Sequence, residues 1–349
     1  MNKEKVLVGM SGGVDSSITV LLLQELGYKV SGMRFRNFVN EAISNTESDV
    51  NNFANTLKIP FYIIDVQEDF KSIVVSNFIE EYFFGRTPNP CVICNPLIKW
   101  KYLIRLADEN NCKYVATGHY ARINFTDGRY YISKGVDETK DQSYFLWKLS
   151  QEYLSRTIFP LGNYSKNEVK NIAINKGLEK IAKLKESVEI CFIPDNDYRN
   201  FLKNTGSYSK LHKGEGNFIN TSGEILGRHN GLCNYTVGQR KGTGISVGHP
   251  LYVTKIRQED NTIVLGEKKD FVKSEMWIKD YNLMKYDNVP DNKEVITKIR
   301  YKNIGIKSKI SMINNRIKVN FFENIAGIAP GQSAVFYEGD DVIGGGIIE

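Results

Sequence analysis

The sequence predicts an α/β protein: an N-terminal doubly wound parallel sheet, then a small β-rich central domain and a C-terminal β-barrel. Three observations carry this. From residue 5 to about 120, short apolar runs alternate with helical periodicity, the pattern of a parallel sheet with helices on both faces. Near residue 205 the long helical patterns stop, and glycine and short alternating segments take over. After about residue 275 the alternation becomes regular, which suits a barrel. A chain of 349 residues exceeds one ordinary domain, and the expected division is 1–205, 206–275 and 276–349.

The elements follow in order. Val6–Gly9 reads as an apolar strand, and Asp15–Leu26 as a helix stopped by Gly27, a residue suited to the position after a helix end. Lys29–Phe35 and Pro60–Val66 read as strands around a helix over Asp49–Leu57, and Ile98–Glu109 as a helix before the strand Tyr114–Thr117. Tyr130–Ser133 suits a hairpin strand, and Gln151–Leu154 and Lys166–Lys176 are helical in pattern. Strands are expected at Asn217–Ile219, Tyr252–Ile256, Thr262–Leu265, Val295–Lys302, Ser308–Met312 and Arg316–Phe322.

A hydrophobic fraction of 41% and a charged fraction of 25% are those of a globular protein in water. No apolar run approaches the roughly 20 residues that a membrane helix needs, so no membrane partner is expected. The first residues lead straight into Val6-Leu-Val without an apolar leader, which makes the cytoplasm the expected compartment. There the five cysteines would be reduced, and an odd number at irregular spacing does not make a disulfide scaffold. The net charge of +6 permits a polyanionic partner without requiring one.

The first chemical motif is Gly9-Met-Ser-Gly-Gly-Val-Asp-Ser-Ser17, placed between a strand and a helix start. Backbone N–H groups and the positive end of the helix dipole make an anion site there, and Gly12 and Gly13 allow close approach of a phosphate. Ser11 and Ser16 offer hydroxyls. Asp15 suits helix capping or a magnesium ion shared with phosphates. It is neither a Walker loop nor Gly-x-Gly-x-x-Gly.

The second motif is Gly85-Arg-Thr-Pro-Asn-Pro-Cys-Val-Ile-Cys-Asn95, in which Cys91 and Cys94 have the spacing of redox and metal pairs. Cys191 lies in a third motif, Lys185-Glu-Ser-Val-Glu-Ile-Cys-Phe-Ile193. A structural zinc site would want a second close pair of ligands, which the sequence lacks. Cys112 and Cys233 are read as packing residues. For Cys94 and Cys191 sulfur chemistry is the functional reading, since a thiolate can carry a persulfide and a second thiol can cleave it.

The phosphate loop resembles that of the PP-loop ATP pyrophosphatases, which implies an adenine nucleotide alpha hydrolase-like sheet. With the cysteine motifs, the chain resembles the tRNA-specific 2-thiouridylases, bacterial tRNA-uridine 2-sulfurtransferases. Further strings extend the likeness over nearly the whole chain: Ala116–Arg122, Lys140–Leu146, Gly227–Leu232, Tyr235–Gly242 and Ala329–Tyr337. The resemblance implies ATP binding by Gly9, Met10, Ser11, Gly12, Gly13, Val14, Asp15 and Ser16, with Met33 meeting the adenine and Gly118 in the same pocket. It places Cys94 as nucleophile and Cys191 as the persulfide cysteine, ending in a Cys94–Cys191 disulfide. Asn89, Pro90 and Cys91 match target-base contacts, and His119, Lys140, Asp141, Gln142, Arg300, Tyr301 and Gln332 match tRNA contacts. ATP, magnesium and a persulfide donor or relay protein are implied with them, for thiolation of the wobble uridine after adenylation of its 2-oxygen.

Three departures stand out. Many relatives have Asp where this chain has Cys91, which puts the acid/base assignment in doubt. It also opens an alternative, an iron–sulfur cluster on Cys91, Cys94 and Cys191. The segment after Phe35 is short, and Val188 and Glu189 replace a usual Gln-Asp/Glu pair. A different PP-loop adenylating chemistry remains the other enzyme reading. Lys298, Arg300 and Lys302 are expected to alternate on one strand face suited to RNA phosphates, with Tyr301 opposite.

Overall fold

The computed structural model describes residues 4–38, 41–184, 190–206 and 213–349. These fall into two compact units: Met1–Val74, Cys91–Phe192 and Asp340–Ile343, and Val75–Pro90, Ile193–Gly339 and Gly344–Glu349.

The first unit is built on a parallel sheet of five strands. They are β1 (Lys5–Gly9), β2 (Lys29–Arg36), β3 (Phe61–Asp65), β4 (Tyr114–Ala116) and β7 (Thr157–Ile158), in the order β3-β2-β1-β4-β7. Two strands of the same unit, β5 (Ala121–Thr126) and β6 (Arg129–Lys134), pair as a hairpin. Its turn is Asp127-Gly128, both with positive φ, which the Asp-Gly pair tolerates.

The central strand β1 has its neighbours on opposite sides reached by opposite windings, so a crevice opens at the carboxyl ends of β1 and β4. Helix α1 (Val14–Glu25) follows β1 directly. Val14, Ile18 and Leu22, spaced four apart, bury against Tyr120, Leu161 and Val169. Val20 and Leu23 bury on its other side against Val6, Val8, Val30, Ala54 and Ala116. This two-sided burial fixes where the loop before α1 must sit.

The helix expected from Ile98 begins earlier. Residues Pro90–Cys94 are already helical, Asn95–Trp100 follow with π-helical geometry, and Lys101–Glu109 continue as an α-helix. Pro90 stands at the first helical position, where its missing N–H costs nothing. Both cysteines of the second motif are therefore helical residues.

The second unit holds two all-strand parts. The first comprises β8 (Gly216–Ile219), β9 (Ile225–His229), β10 (Tyr252–Arg257) and β11 (Thr262–Gly266), ordered β10-β11-β8-β9. Its core is Phe218, Leu232, Tyr235, Val253, Ile263 and Leu265. The second comprises β12 (Lys273–Leu283), β13 (Lys293–Lys298), β14 (Ile306–Ile313), β15 (Arg316–Ile325), β16 (Ser333–Glu338) and β17 (Asp341–Ile348), of which Gly344–Ile348 belong to this unit. The order β12-β15-β14-β13-β16-β17 closes on itself through β12–β17 pairing, so this is a barrel. Ile317, Val319 and Phe321 point inward, alternating with Lys318, Asn320 and Phe322.

One expected strand is shorter than its sequence pattern. β13 ends at Lys298, and Arg300, Tyr301 and Lys302 lie in the turn before β14. The three cations therefore do not share one strand face. With the strand ended, Arg300 and Tyr301 are released from the alternation that would have opposed them.

Candidate active site

The phosphate loop occupies the crevice at the end of β1. Gly12 has φ +90°, a conformation open to glycine. The Ser16 hydroxyl accepts from the Ser11 N–H at 3.2 Å and donates to the Gly13 carbonyl at 3.1 Å, which folds the loop over the helix start. No side chain caps α1; its N-cap is Gly13. Asp15 does not cap it either. Its carboxylate takes Lys166 Nζ at 2.7 and 2.8 Å and the Tyr120 hydroxyl at 2.7 Å. An uncapped helix N-terminus behind a glycine turn is an anion site.

Residues of β2 and residues just after β4 pack against this loop. From β4, Gly118 lies so close that an added Cβ would stand 2.9 Å from the Asp15 carbonyl carbon and 3.0 Å from the Ser16 nitrogen. From β2, the Met33 carbonyl accepts from Met10 N–H at 2.7 Å while the Met33 side chain is fully buried. The Met10 and Val14 side chains are buried as well, leaving backbone as what this part of the loop can offer a ligand. Also from β2, Arg34 Nη1 donates to the Ser11 carbonyl at 2.7 Å.

Cys91, Cys94 and Cys191 belong to the same unit as the loop. Cys91 and Cys94 are one turn apart and share a helix face. Cys91 is half-buried and Cys94 buried. Cys191 is solvent-exposed, and its Sγ accepts from Asn37 Nδ2 at 3.9 Å, one residue past the end of β2. Residues 185–189, with Val188 and Glu189, lie outside the described residues.

Burial pushes the Cys94 thiol up to about 12, and crowding by protein pushes Cys191 up to about 11 despite its exposed face. Cys91 is raised too, again chiefly by burial. Cys94 feels the charges of both Cys191 and Cys91, and Cys191 that of Cys91, so the three are neighbours. The opposing charge in every case is Lys99. Cys94 and Lys99 are five apart across the π-helical stretch, the spacing that stacks residues in that geometry. Cys112 and Cys233 are buried, as packing residues should be.

His119 stacks among Trp100 and Phe159, and its Nδ1 meets the Thr117 hydroxyl at 2.7 Å. Burial, then Lys99, lowers its imidazole to about 3, so it is neutral near pH 7. Asp141 is buried and spends its carboxylate on Gly135 N–H, Ser143 N–H and the Ser143 hydroxyl. Gln142 is tied to Tyr120 through both backbone and side chain, at 2.9 and 3.1 Å. Asp141 and Gln142 thus shape the loop carrying Lys140 and link it, through Tyr120, to Asp15.

In the second unit, Gln332 Nε2 donates to the Thr87 carbonyl at 3.1 Å, and Thr87 N–H donates to the Pro330 carbonyl at 2.8 Å. These bonds hold the segment that leads to Asn89 and Pro90. Arg300 is exposed and Tyr301 half-buried.

Three family models match the chain one after another. Residues 4–195 match the tRNA methyl transferase HUP domain, 199–267 the tRNA methyl transferase PRC-barrel domain and 273–348 the aminomethyltransferase beta-barrel domain. The tRNA-specific 2-thiouridylase MnmA of Cytophaga hutchinsonii is 45% identical, over 99% of this chain and 98% of that protein. This chain belongs to the tRNA-specific 2-thiouridylase family. A second 2-thiouridylase, from Amoebophilus asiaticus, is 46% identical over 100% of this chain and 96% of its own length. Among solved structures, the U34-tRNA thiolase NcsA from Methanococcus maripaludis with its [4Fe-4S] cluster covers 60% of this chain and 68% of its own, at 20% identity and a TM-score of 0.37. The 2-thiouridylase architecture expected from sequence is the one observed: parallel sheet, PRC-barrel-like part, closed barrel.

Sequence reasoning missed Arg34, Asn37, Lys99, Tyr120 and Lys166. Only Lys166 had a local signal, the Ser165-x-x-Glu168 capping box that starts its helix. That box announces a helix without naming the partner of its first lysine.

Proposed function

We propose that this protein carries out ATP-dependent 2-thiolation of the wobble uridine in tRNA, with Cys191 as the persulfide cysteine and Cys94 as the attacking thiol. The observation that carries the sulfur assignment is the gathering of Cys91, Cys94 and Cys191 in the unit that holds the uncapped phosphate loop.

The loop N–H groups bind the phosphates and stabilise the charge that develops as the uridine 2-oxygen attacks the α-phosphorus of ATP and pyrophosphate leaves that phosphorus. A persulfide donor converts Cys191 to its persulfide. The Cys94 thiolate attacks the Cys191 sulfur, forming a Cys94–Cys191 disulfide and displacing hydrosulfide. Hydrosulfide attacks the activated carbon, AMP departs, and a dithiol reductant restores both thiols. The base must leave its stack to be reached. Asn89, Pro90, His119, Lys140, Asp141, Gln142, Arg300, Tyr301 and Gln332 are proposed to hold or shape the tRNA site. Asp141 and Gln332 would act by shaping, given the bonds they already make.

Two metal roles have less support. Both Asp15 oxygens are engaged by Lys166, which leaves that carboxylate poorly suited to magnesium. Among the described residues no three His, Cys, Asp or Glu side chains form a group able to hold a metal ion, so the three cysteines as placed do not fit a cluster. No step is routed through either. Also among them, no helix is long and apolar enough to cross a membrane.

The test is nucleoside mass spectrometry of unmodified tRNA incubated with anaerobically purified protein, ATP, magnesium and a sulfur source. ATP-dependent 2-thiouridine that disappears in Cys191→Ser is the expected result. Thiouridine formed equally well by Cys191→Ser would overturn the sulfur assignment.

A further inference from the structure

Arg34 is a buried cation that the steps above leave without a role. It follows Met33 on β2 and is only 9% exposed. Nη1 donates to the Ser11 carbonyl, while Nε is buried and meets no acceptor among the described residues. The nearest carboxylate it feels, Glu47, is already engaged: Arg36 binds both of its oxygens, at 3.0 and 2.8 Å. Burial accordingly lowers the Arg34 guanidinium from its ordinary value, with Glu47 opposing at a distance.

A desolvated guanidinium with an unmet donor is unfavourable unless an anion completes it. Here it is held against the backbone of a loop shaped to receive an anion. The Ser11 carbonyl is drawn toward it, so this acceptor of the loop is turned to Arg34 and away from an incoming anion. The pyrophosphate portion of a nucleotide brings both the missing charge and the missing acceptor.

We propose that Arg34 is a positioning residue of the nucleotide site, holding the Ser11 carbonyl and taking its counter-charge from the bound pyrophosphate group. This rests on the nucleotide reading of the loop. It adds that affinity for the pyrophosphate portion depends on a strand residue outside the loop.

The experiment is calorimetric titration of the full chain with inorganic pyrophosphate and, separately, adenosine. Arg34→Met removes the charge and the bond to the Ser11 carbonyl. Arg34→Gln removes the charge and keeps an amide donor on a shorter side chain, and it serves if the methionine variant does not fold. For either variant we expect pyrophosphate binding weakened at least tenfold and adenosine binding within threefold of wild type. Pyrophosphate binding within threefold of wild type overturns the proposal. So does an equal loss for both ligands, since that marks a merely structural role. Wild-type protein that binds neither ligand sinks the nucleotide reading itself, and this inference with it.

Discussion

Lys166 Nζ lies 2.7 and 2.8 Å from the two carboxylate oxygens of Asp15, although 151 positions separate them in the chain. Only a tenth of the lysine's side-chain surface is exposed, and Asp15 is a first-turn residue of α1. This pair therefore ties the helix that begins at Lys166 to the helix that carries the phosphate loop.

Lys166→Met should leave the Asp15 carboxylate with Tyr120 alone. Charged hydrogen bonds of this kind contribute about 2 kcal/mol. A loss of that size in urea unfolding, with weaker ATP binding, is the expected outcome. Unchanged stability would mean that the pair is no more than a surface contact.

The cysteines give a pH prediction. Thiols pushed up to about 11 and 12 are protonated at pH 7.5, and only the thiolate alkylates. Cys191 alkylation by iodoacetamide should rise about tenfold per pH unit between 8 and 10. Cys94, buried, should react more slowly at each pH. Lys99→Met removes the charge that opposes the shift and should slow both reactions over this range, as read by peptide mass spectrometry. A rate that levels off near pH 8 would contradict these surroundings.

What could be read in advance was what depends on local pattern. The alternation of Ile317, Val319 and Phe321 announced β15, and Gly12-Gly13 between strand and helix announced the loop. The start of the cysteine helix was hidden, because Pro88-Asn-Pro90 reads as a turn and Pro96 falls inside the π-helical stretch. Alternation ran on from Lys298 to Lys302 although the strand stops, and no local signal marks that stop. The Asp15–Lys166 and Arg34–Ser11 contacts were invisible for a different reason. They join segments that only the finished sheet brings together.

Gly118 supplies a steric prediction. A Cβ there would meet Asp15 and Ser16 backbone atoms at 2.9 and 3.0 Å, and backbone cannot swing aside as a flexible side chain can. Gly118→Ala should push β4 away from the start of α1 and displace the Ser16 N–H. Calorimetry should show ATP affinity lowered by at least tenfold. Full affinity would show that the loop is free to move as a body.

The barrel carries an acid-sensitive cluster. Glu338 accepts from Lys285 Nζ at 2.8 Å and the Tyr286 hydroxyl at 2.9 Å, and pairs with Lys293 as well. The two lysines, with Tyr286 adding a bond, hold its carboxyl down to about 2, against an ordinary 4.5. A carboxylate depressed on folding contributes stability that is complete above about 4.5 and is lost as pH falls toward 2. Its partly exposed position means that solvent and salt screen part of this effect. Glu338→Gln should therefore be less stable than wild type at pH 7, with the difference narrowing between pH 4.5 and 3. Urea unfolding of both proteins at several pH values measures it, and a difference that stays constant across that range would remove Glu338 as the titrating group.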